Sequence, residues 1–190
     1  MTTSNPSTGD PAASGQAGPA AADGERADLL AALAARRRFL RFTARDLTEE
    51  QARQRTTASE LTLGGLIKHV ADTEQGWVNF IQYGPSAMGD FSAMTEDDFA
   101  QWADQFRLLP GETLPGVLAS YADVARRTDE LVASLADLDA AHPLPNAPWF
   151  PPGERWSARR VILHIIAETA QHAGHADIIR ESLDGAKSMG

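Results

Sequence analysis

Four polar side chains in one stretch near the C-terminus most constrain how this chain can fold. They are His164, Glu168, His172 and His175, within VILHIIAETAQHAGHADIIRE. On an α-helix, where each residue turns by about 100°, they fall at about 0°, 40°, 80° and 20°, within one sector of roughly 80°. Val161 and Ile179 fall at about 60°, inside that sector. The four groups therefore interrupt a stripe that otherwise faces a protein core.

Buried imidazole and carboxylate groups need partners, because an unpaired polar group in a core costs several kcal/mol. One divalent metal ion satisfies several such groups at once. His164 with Glu168, Glu168 with His172, and Glu168 with His175 are all pairs that can reach one ion, and the spacing alone does not choose among them. Four protein ligands would make a structural zinc site, whereas three would leave the open position of a catalytic site. Histidines that are not ligands would then support the ligands or act as general bases.

Composition and charge exclude several classes of function. The chain has no cysteine, so disulfides, iron–sulfur clusters and a cysteine nucleophile are excluded. A net charge of −9 argues against nucleic-acid binding through a basic surface. No apolar run approaches the roughly 18 residues of a membrane span, and no secretory signal is visible. We expect a cytoplasmic protein that binds neither nucleic acid nor membrane.

The hydrophobic pattern predicts a tail followed by one helical domain. Residues 1–24 contain no large apolar residue after Met1, and we expect a disordered tail there. Four amphipathic helical patterns run over residues 25–47, 62–83, 113–138 and 157–183, with caps at Thr62 and Ser157 and a stop at Gly185. The arginine run 36–38 is expected on a solvated face. Residues 25–190 are therefore expected to form an all-α four-helix bundle.

Two connections in this bundle are long. Residues 84–112 link the second and third helices and include MTEDDFAQWADQF, which predicts a short extra helix. Residues 139–156 are rich in proline and carry Trp149, Phe150 and Trp156. Long loops in a compact domain often form lids or binding walls, although these aromatic side chains could equally plug one end of the bundle.

His69 in the second helix is a further candidate ligand. Taken alone, a histidine beside Leu66 and Thr73 is more often a core or pocket residue with a satisfied hydrogen bond. A helix that presents Glu168 and His172 one turn apart changes this expectation, because that pair needs a third ligand from a facing helix. Bundle cores build metal sites in this way.

Two stretches of the sequence resemble a known family. LTLGGLIKHVADTEQGWV and WSARRVILHIIAETAQHAGHADIIRE resemble the DinB-like superfamily of metal-binding four-helix bundles, in its actinobacterial branch of mycothiol-dependent S-transferases. The resemblance covers residues from about 25 to 185. It implies that His69, Glu168 and His172 are the metal ligands. It also implies that His175 is a pocket residue and that His164 lies in the wall or supports the ligands.

The resemblance implies a divalent-metal-dependent thiol S-transferase with mycothiol as co-substrate and an electrophilic small molecule as substrate. A metal-bound thiol is deprotonated, and the thiolate is the nucleophile. His175 or His164 is expected to relay the thiol proton as the catalytic residue. Zinc is the expected ion, with nickel, iron and manganese also compatible. The family also implies a role in detoxification and a homodimer as one oligomeric state.

Three other functions fit the same residues. A thiol-dependent isomerase of the maleylpyruvate type would use a related site for thiol addition and elimination. A mononuclear iron oxygenase also uses two histidines and one carboxylate, but usually on β-scaffolds. A metal-binding bundle without catalytic activity is the third alternative.

Overall fold

The computed structural model describes residues 19–89, 91 and 94–188. In this part of the chain the elements are α1 (Pro19–Thr43), α2 (Glu49–Arg53), α3 (Leu63–Tyr83), α4 (Glu96–Ala103), α5 (Leu114–Ser134), β1 (Ala141–Pro143), β2 (Arg155–Ser157) and α6 (Ala158–Asp184). Single 3₁₀ turns occupy Pro85–Ala87 and Asp104–Phe106. The four long helices α1, α3, α5 and α6 correspond to the four amphipathic patterns, so the all-α bundle is confirmed. The short helix expected in the connection 84–112 is α4.

The first helix is displaced toward the N-terminus from its expected bounds. It begins at Pro19, six residues before the start expected at residue 25, and ends at Thr43. A capping box then starts α2, because the Thr48 hydroxyl accepts from the amide of Gln51 and the Gln51 side chain accepts from the amide of Thr48. This local signal ends the pattern that the sequence continued to residue 47. Residues 1–18 of the expected tail lie outside the described residues.

The start of α3 and both ends of α6 are fixed by the expected capping residues. The Thr62 hydroxyl accepts from the Gly65 amide at 3.1 Å, and the Ser157 hydroxyl accepts from the Arg160 amide at 3.2 Å. Gly185 adopts a left-handed conformation with φ of 79° directly after α6. The helix that carries most of the candidate site therefore has well-defined ends.

The bundle packs α1 against α6 and α3 against both α5 and α6. Two clusters of buried apolar side chains fill its interior. One contains Leu40, Leu66, Ile67, Tyr121 and Ile179, and the other contains Leu33, Phe80, Trp156, Val161 and Ile162. Because α3 and α6 are direct neighbours, His69 faces the helix that bears Glu168. None of the helices in the described part of the chain has the length and apolar character needed to cross a membrane.

Two adjacent glycines let the connection after α4 cross α3 closely. A Cβ atom added to Gly65 would lie 1.8 Å from the carbonyl oxygen of Phe106, and one added to Gly64 would lie 2.5 Å from Cδ1 of Leu108. The contact at Gly65 is with backbone, so glycine is needed there, whereas a side chain at Gly64 would require the Leu108 side chain to move. This crossing brings Gln105 and Phe106 against the helix turn that carries His69.

The connection 139–156 contains a small antiparallel strand pair that the sequence pattern does not predict. Strand β1 pairs with β2 in the register His142↔Trp156, flanked by Ala141↔Ser157 and Pro143↔Arg155. Each strand has three residues, which is too short to show an alternating pattern. The pairing fixes Trp156 immediately before α6.

The expectation that the arginine run 36–38 is fully solvated is wrong for Arg37. This side chain is only 5% exposed and forms a bidentate ion pair with Glu74, which is 0% exposed. The distances are 3.1 Å from Nε to Oε2 and 2.5 Å from Nη2 to Oε1. Arg37 lies four residues after Leu33 and three before Leu40, on the core-facing stripe of α1. The Thr128 hydroxyl donates a further hydrogen bond to Glu74 at 2.6 Å.

Candidate metal centre

The bundle brings together one side chain from α3 and two from α6. One potential ligand atom from each of His69, Glu168 and His172 lies within 4.8 Å of the others. Nε2 of His172 is 3.5 Å from Oε2 of Glu168, and the two imidazole rings meet edge to face with centroids 4.7 Å apart. These are the three residues that the family resemblance implies as ligands.

The donor set fits a single divalent ion. Two ligands at about 2.0–2.2 Å from a tetrahedral ion are about 3.3–3.6 Å apart, and the 3.5 Å between His172 and Glu168 matches this separation. All three separations are at most 4.8 Å. Imidazole nitrogen and carboxylate oxygen suit zinc, iron, nickel and manganese alike. Three such ligands leave at least one coordination position for a substrate.

The electrostatics of the cluster favour the forms of these side chains that bind metal. The hydrogen bond with His172 holds the pKa of Glu168 below its usual value, although burial opposes this effect. Burial lowers the pKa of His69, and the neighbouring His172 lowers it further against the opposing effects of Gln105 and Glu168. Near neutral pH, Glu168 is therefore ionised and His69 is neutral.

Gln105 is a residue of this site that sequence reasoning missed. Its Oε1 lies 2.8 Å from Nδ1 of His69, and its amide nitrogen donates to the carbonyl of Trp102 at 2.8 Å. The Phe106 ring packs on the same imidazole at 4.3 Å between centroids. Nδ1 of His69 is thus engaged by the protein, which leaves Nε2 for a ligand. The only sequence signal is that Gln105 lies in the stretch predicted to form the extra helix.

His164 lies in the wall of the cavity beside the cluster. Its Nε2 is 4.0 Å from Oε1 of Glu168, and its ring meets Trp77 and Trp156 edge-on at 4.9 and 5.0 Å. Burial lowers the pKa of His164; Arg160 adds to this shift, whereas Glu168 opposes it. A neutral imidazole in this position can accept a proton from a molecule in the cavity.

His175 contacts the cluster through His172 and is not part of the cavity wall. Its Nδ1 lies 3.4 Å from Nδ1 of His172, whereas Nε2 of His172 is the nitrogen close to Glu168. Either imidazole can donate the hydrogen bond between the two Nδ1 atoms. His175 is thus placed to orient His172, as partners of metal-bound histidines commonly do.

A cavity of about 490 Å³ opens beside the cluster, between α3, α6 and both long connections. Its wall includes His69, Asp72, Trp77, Phe91, Trp102, Gln105, Trp149, Phe150, His164 and Glu168. Its volume is that of a typical small-molecule site. A wider groove of about 810 Å³ between α1 and α5 contains none of the clustered residues.

The aromatic side chains of the connection 139–156 contribute both to the cavity wall and to the hydrophobic core. Trp149 and Phe150 line the cavity, and Trp149 is 53% exposed. Trp156 is buried and stacks on Trp77, with centroids 4.9 Å apart and an interplanar angle of 14°. The first two side chains therefore form a binding wall, while the third closes the core.

A family model of mycothiol-S-transferases matches residues 28–185 of the chain. The chain belongs to this family. The match contains all of α3 and α6, and it confirms the resemblance seen in those two stretches. Among curated proteins, none matches the chain. Within the mycothiol-S-transferase domain, the cluster of His69, Glu168 and His172 is the group of potential metal ligands that the described residues bring together.

Proposed function

We propose that this member of the mycothiol-S-transferase family joins mycothiol, through its sulfur, to an electrophilic small molecule, with a divalent metal held by His69, Glu168 and His172. The convergence of the three potential ligand atoms within 4.8 Å, at the edge of a cavity large enough for a small molecule, carries this proposal. We propose zinc as the ion and detoxification of reactive electrophiles as the physiological role.

The nucleophile must come from a small molecule, because the chain has no cysteine. A divalent ion bound at this cluster would lower the pKa of a coordinated thiol and favour the thiolate. The protein supplies the geometry: α3 and α6 hold the ligands, Gln105 fixes the ring of His69, and His175 orients the ring of His172.

We assign to His164, rather than to His175, the role of receiving the thiol proton. It lines the cavity, and its lowered pKa keeps the imidazole neutral and able to accept. In the reaction, the S–H proton passes to His164 and then to solvent. The sulfur forms a new bond to the electrophilic carbon, and the leaving group departs with its electron pair.

Metal analysis and thiol consumption in matched variants test this assignment. We expect wild-type protein to purify with about one equivalent of a divalent metal, and His69→Ala and Glu168→Ala to lose most of it together with mycothiol conjugation. His142→Ala is the control, because this histidine contacts the carbonyl of Ile81, outside the cluster. Full metal occupancy in both cluster variants would remove the ligand assignment. Wild-type protein that consumes no mycothiol with any electrophile would remove the transferase function.

A further inference from the structure

The cavity beside the cluster of His69, Glu168 and His172 has negatively charged side chains in its wall. Two carboxylates, Asp72 and Glu168, belong to its wall, but no lysine or arginine does among the described residues. The sequence extends this observation, because residues 84–106 contain five acidic and no basic residues. Residues 143–154, which supply Trp149 and Phe150, also lack lysine and arginine. The segments 84–106 and 143–154 of the two connections therefore contribute no lysine or arginine.

The nearest cations are engaged elsewhere. Lys68 pairs with Glu112 at 2.8 Å, and Arg107 pairs with Asp104. The Arg160 guanidinium lies over the Trp156 ring at 4.9 Å from its centroid, outside the cavity wall. None of these three side chains belongs to the cavity wall.

Asp72 is the negative charge that a metal would not compensate. It lies one helical turn after His69 on α3, at an exposed position that borders the cavity. Glu168, by contrast, is a candidate ligand whose charge a divalent ion would offset. Asp72 therefore remains as a carboxylate that faces whatever enters the cavity.

The remaining wall is aromatic and partly exposed. Trp102 from α4 and Trp149 from the other connection are 51% and 53% exposed, although both line the cavity. Phe91 packs on Trp149 with centroids 5.3 Å apart, which extends this surface. Large exposed aromatic side chains around a cavity provide flat faces for stacking an aromatic ligand.

We propose that the electrophile accepted by this site is an uncharged aromatic molecule, and that Asp72 excludes anionic electrophiles. The assignment of this cavity to the electrophile rests on the proposed transferase function. The same wall disfavours the maleylpyruvate-type alternative, because a dicarboxylate would have to enter beside Asp72 with no lysine or arginine among the described wall residues to pair with its second carboxylate.

A matched pair of nitroaromatic probes tests the proposal by binding, independently of turnover. Methyl 3,5-dinitrobenzoate is uncharged, and 3,5-dinitrobenzoate is its anionic counterpart at pH 7.5. The chain has four tryptophans, of which three line the cavity and the fourth stacks on Trp77, so quenching of tryptophan fluorescence reports on this cavity. With the full-length, metal-loaded protein we expect the ester to bind at least about tenfold more tightly than the acid.

Variants separate charge exclusion from general affinity. Asp72→Asn should reduce the ester-to-acid ratio at least about threefold. Asp123→Asn, which removes one exposed carboxylate on α5, should leave the ratio unchanged. Trp149→Ala should weaken both probes alike. Equal binding of ester and acid by wild-type protein, an unchanged ratio in Asp72→Asn, or no binding of either probe would each overturn the proposal.

Turnover with methyl 4-chloro-3,5-dinitrobenzoate distinguishes this inference from the proposed function. In that reaction the mycothiol sulfur bonds to the chlorine-bearing carbon, chloride leaves with the bonding electrons, and the thiol proton is released. If no conjugate forms but the binding ratio holds, the transferase function fails while charge exclusion stands. If Asp72→Asn instead raises the KM for mycothiol and leaves the probe ratio unchanged, Asp72 is a thiol contact and the proposal is wrong.

Discussion

Nδ1 of His69 lies 2.8 Å from Oε1 of Gln105, so a candidate ligand in α3 is held by a side chain from the connection after α4. The imidazole can donate from Nδ1 only in the tautomer that leaves Nε2 as a lone-pair donor. Gln105 is itself held by the carbonyl of Trp102. The hydrogen bond thus selects the tautomer and the ring orientation that a metal ligand needs.

Replacing Gln105 should therefore weaken metal binding without removing a ligand. We expect Gln105→Leu to lower the affinity for zinc about 10–100-fold, as is common for partners of metal-bound histidines. Competition with a chromophoric chelator measures this affinity. Gln82→Leu, at an exposed position of α3, is the matched control and should bind zinc like the wild type. Equal affinities in both variants would show that His69 needs no such support.

His164 and His175 should behave differently when replaced. His164→Gln removes the proton acceptor in the cavity wall, and we expect mycothiol conjugation to fall about 10²–10⁴-fold in kcat/KM with metal content retained. His175→Gln should mainly lower metal affinity, because His175 reaches the cluster only through His172. Steady-state kinetics and metal analysis on the same preparations compare the two. A larger kinetic defect in fully metal-loaded His175→Gln would assign the relay to His175.

The close crossing over α3 predicts opposite effects for two helical glycines. Gly65→Ala places a methyl group against the backbone of Phe106 and should destabilise the fold by about 1–3 kcal/mol. Gly174→Ala points into open space on α6 and should stabilise it by up to about 1 kcal/mol. Urea unfolding measures both changes. A neutral Gly65→Ala would mean that residues 104–108 do not pack tightly on α3.

The buried ion pair between Arg37 and Glu74 should be costly to break. Arg37→Met leaves a fully buried carboxylate without its cation, and we expect a loss of about 3–5 kcal/mol in the free energy of unfolding. The exposed pair of Arg126 and Glu130 is the comparison, and Arg126→Met should cost much less, because solvent screens an exposed ion pair. Similar costs for the two substitutions would contradict the buried position of Arg37.

The raised pKa of Asp72 predicts a stability change that depends on pH. Because burial raises this pKa above the ordinary 3.8, the ionised group opposes folding; its contribution is most favourable below pH 3.8 and is lost as the pH rises through the folded-state pKa. Asp72→Asn should therefore stabilise the protein at pH 7, with a gain that shrinks as the pH falls toward 4. Urea unfolding between pH 4 and 7 measures this difference.

Asp123 provides the opposite case for comparison. The hydrogen bond from Arg126 lowers the pKa of Asp123, so its ionised form favours folding at neutral pH. Asp123→Asn should therefore lower stability at pH 7, with an effect that fades as the pH falls below 3.8. Changes of the same sign in the two variants would contradict the distinct environments of the two carboxylates.

The positions of the helices and the common face of the α6 cluster could be read from the sequence because both depend on local geometry. Residues 164, 168, 172 and 175 share one side of any α-helix, whatever surrounds it. Thr62, Ser157 and Gly185 marked helix ends because capping involves only residues a few positions apart. His69 became a candidate because the pair of Glu168 and His172 needs a third ligand from a facing helix, and the resemblance to a family then implied it as a ligand.

Only the tertiary structure decided which distant residues meet. Gln105 lies 36 positions from His69, and its contact depends on the way Gly64 and Gly65 admit the connection after α4. The arginine run 36–38 looked uniform, yet packing buried Arg37 against Glu74. Such contacts follow from the summed burial of many side chains across the bundle, so no short window of the sequence contains the information that fixes them.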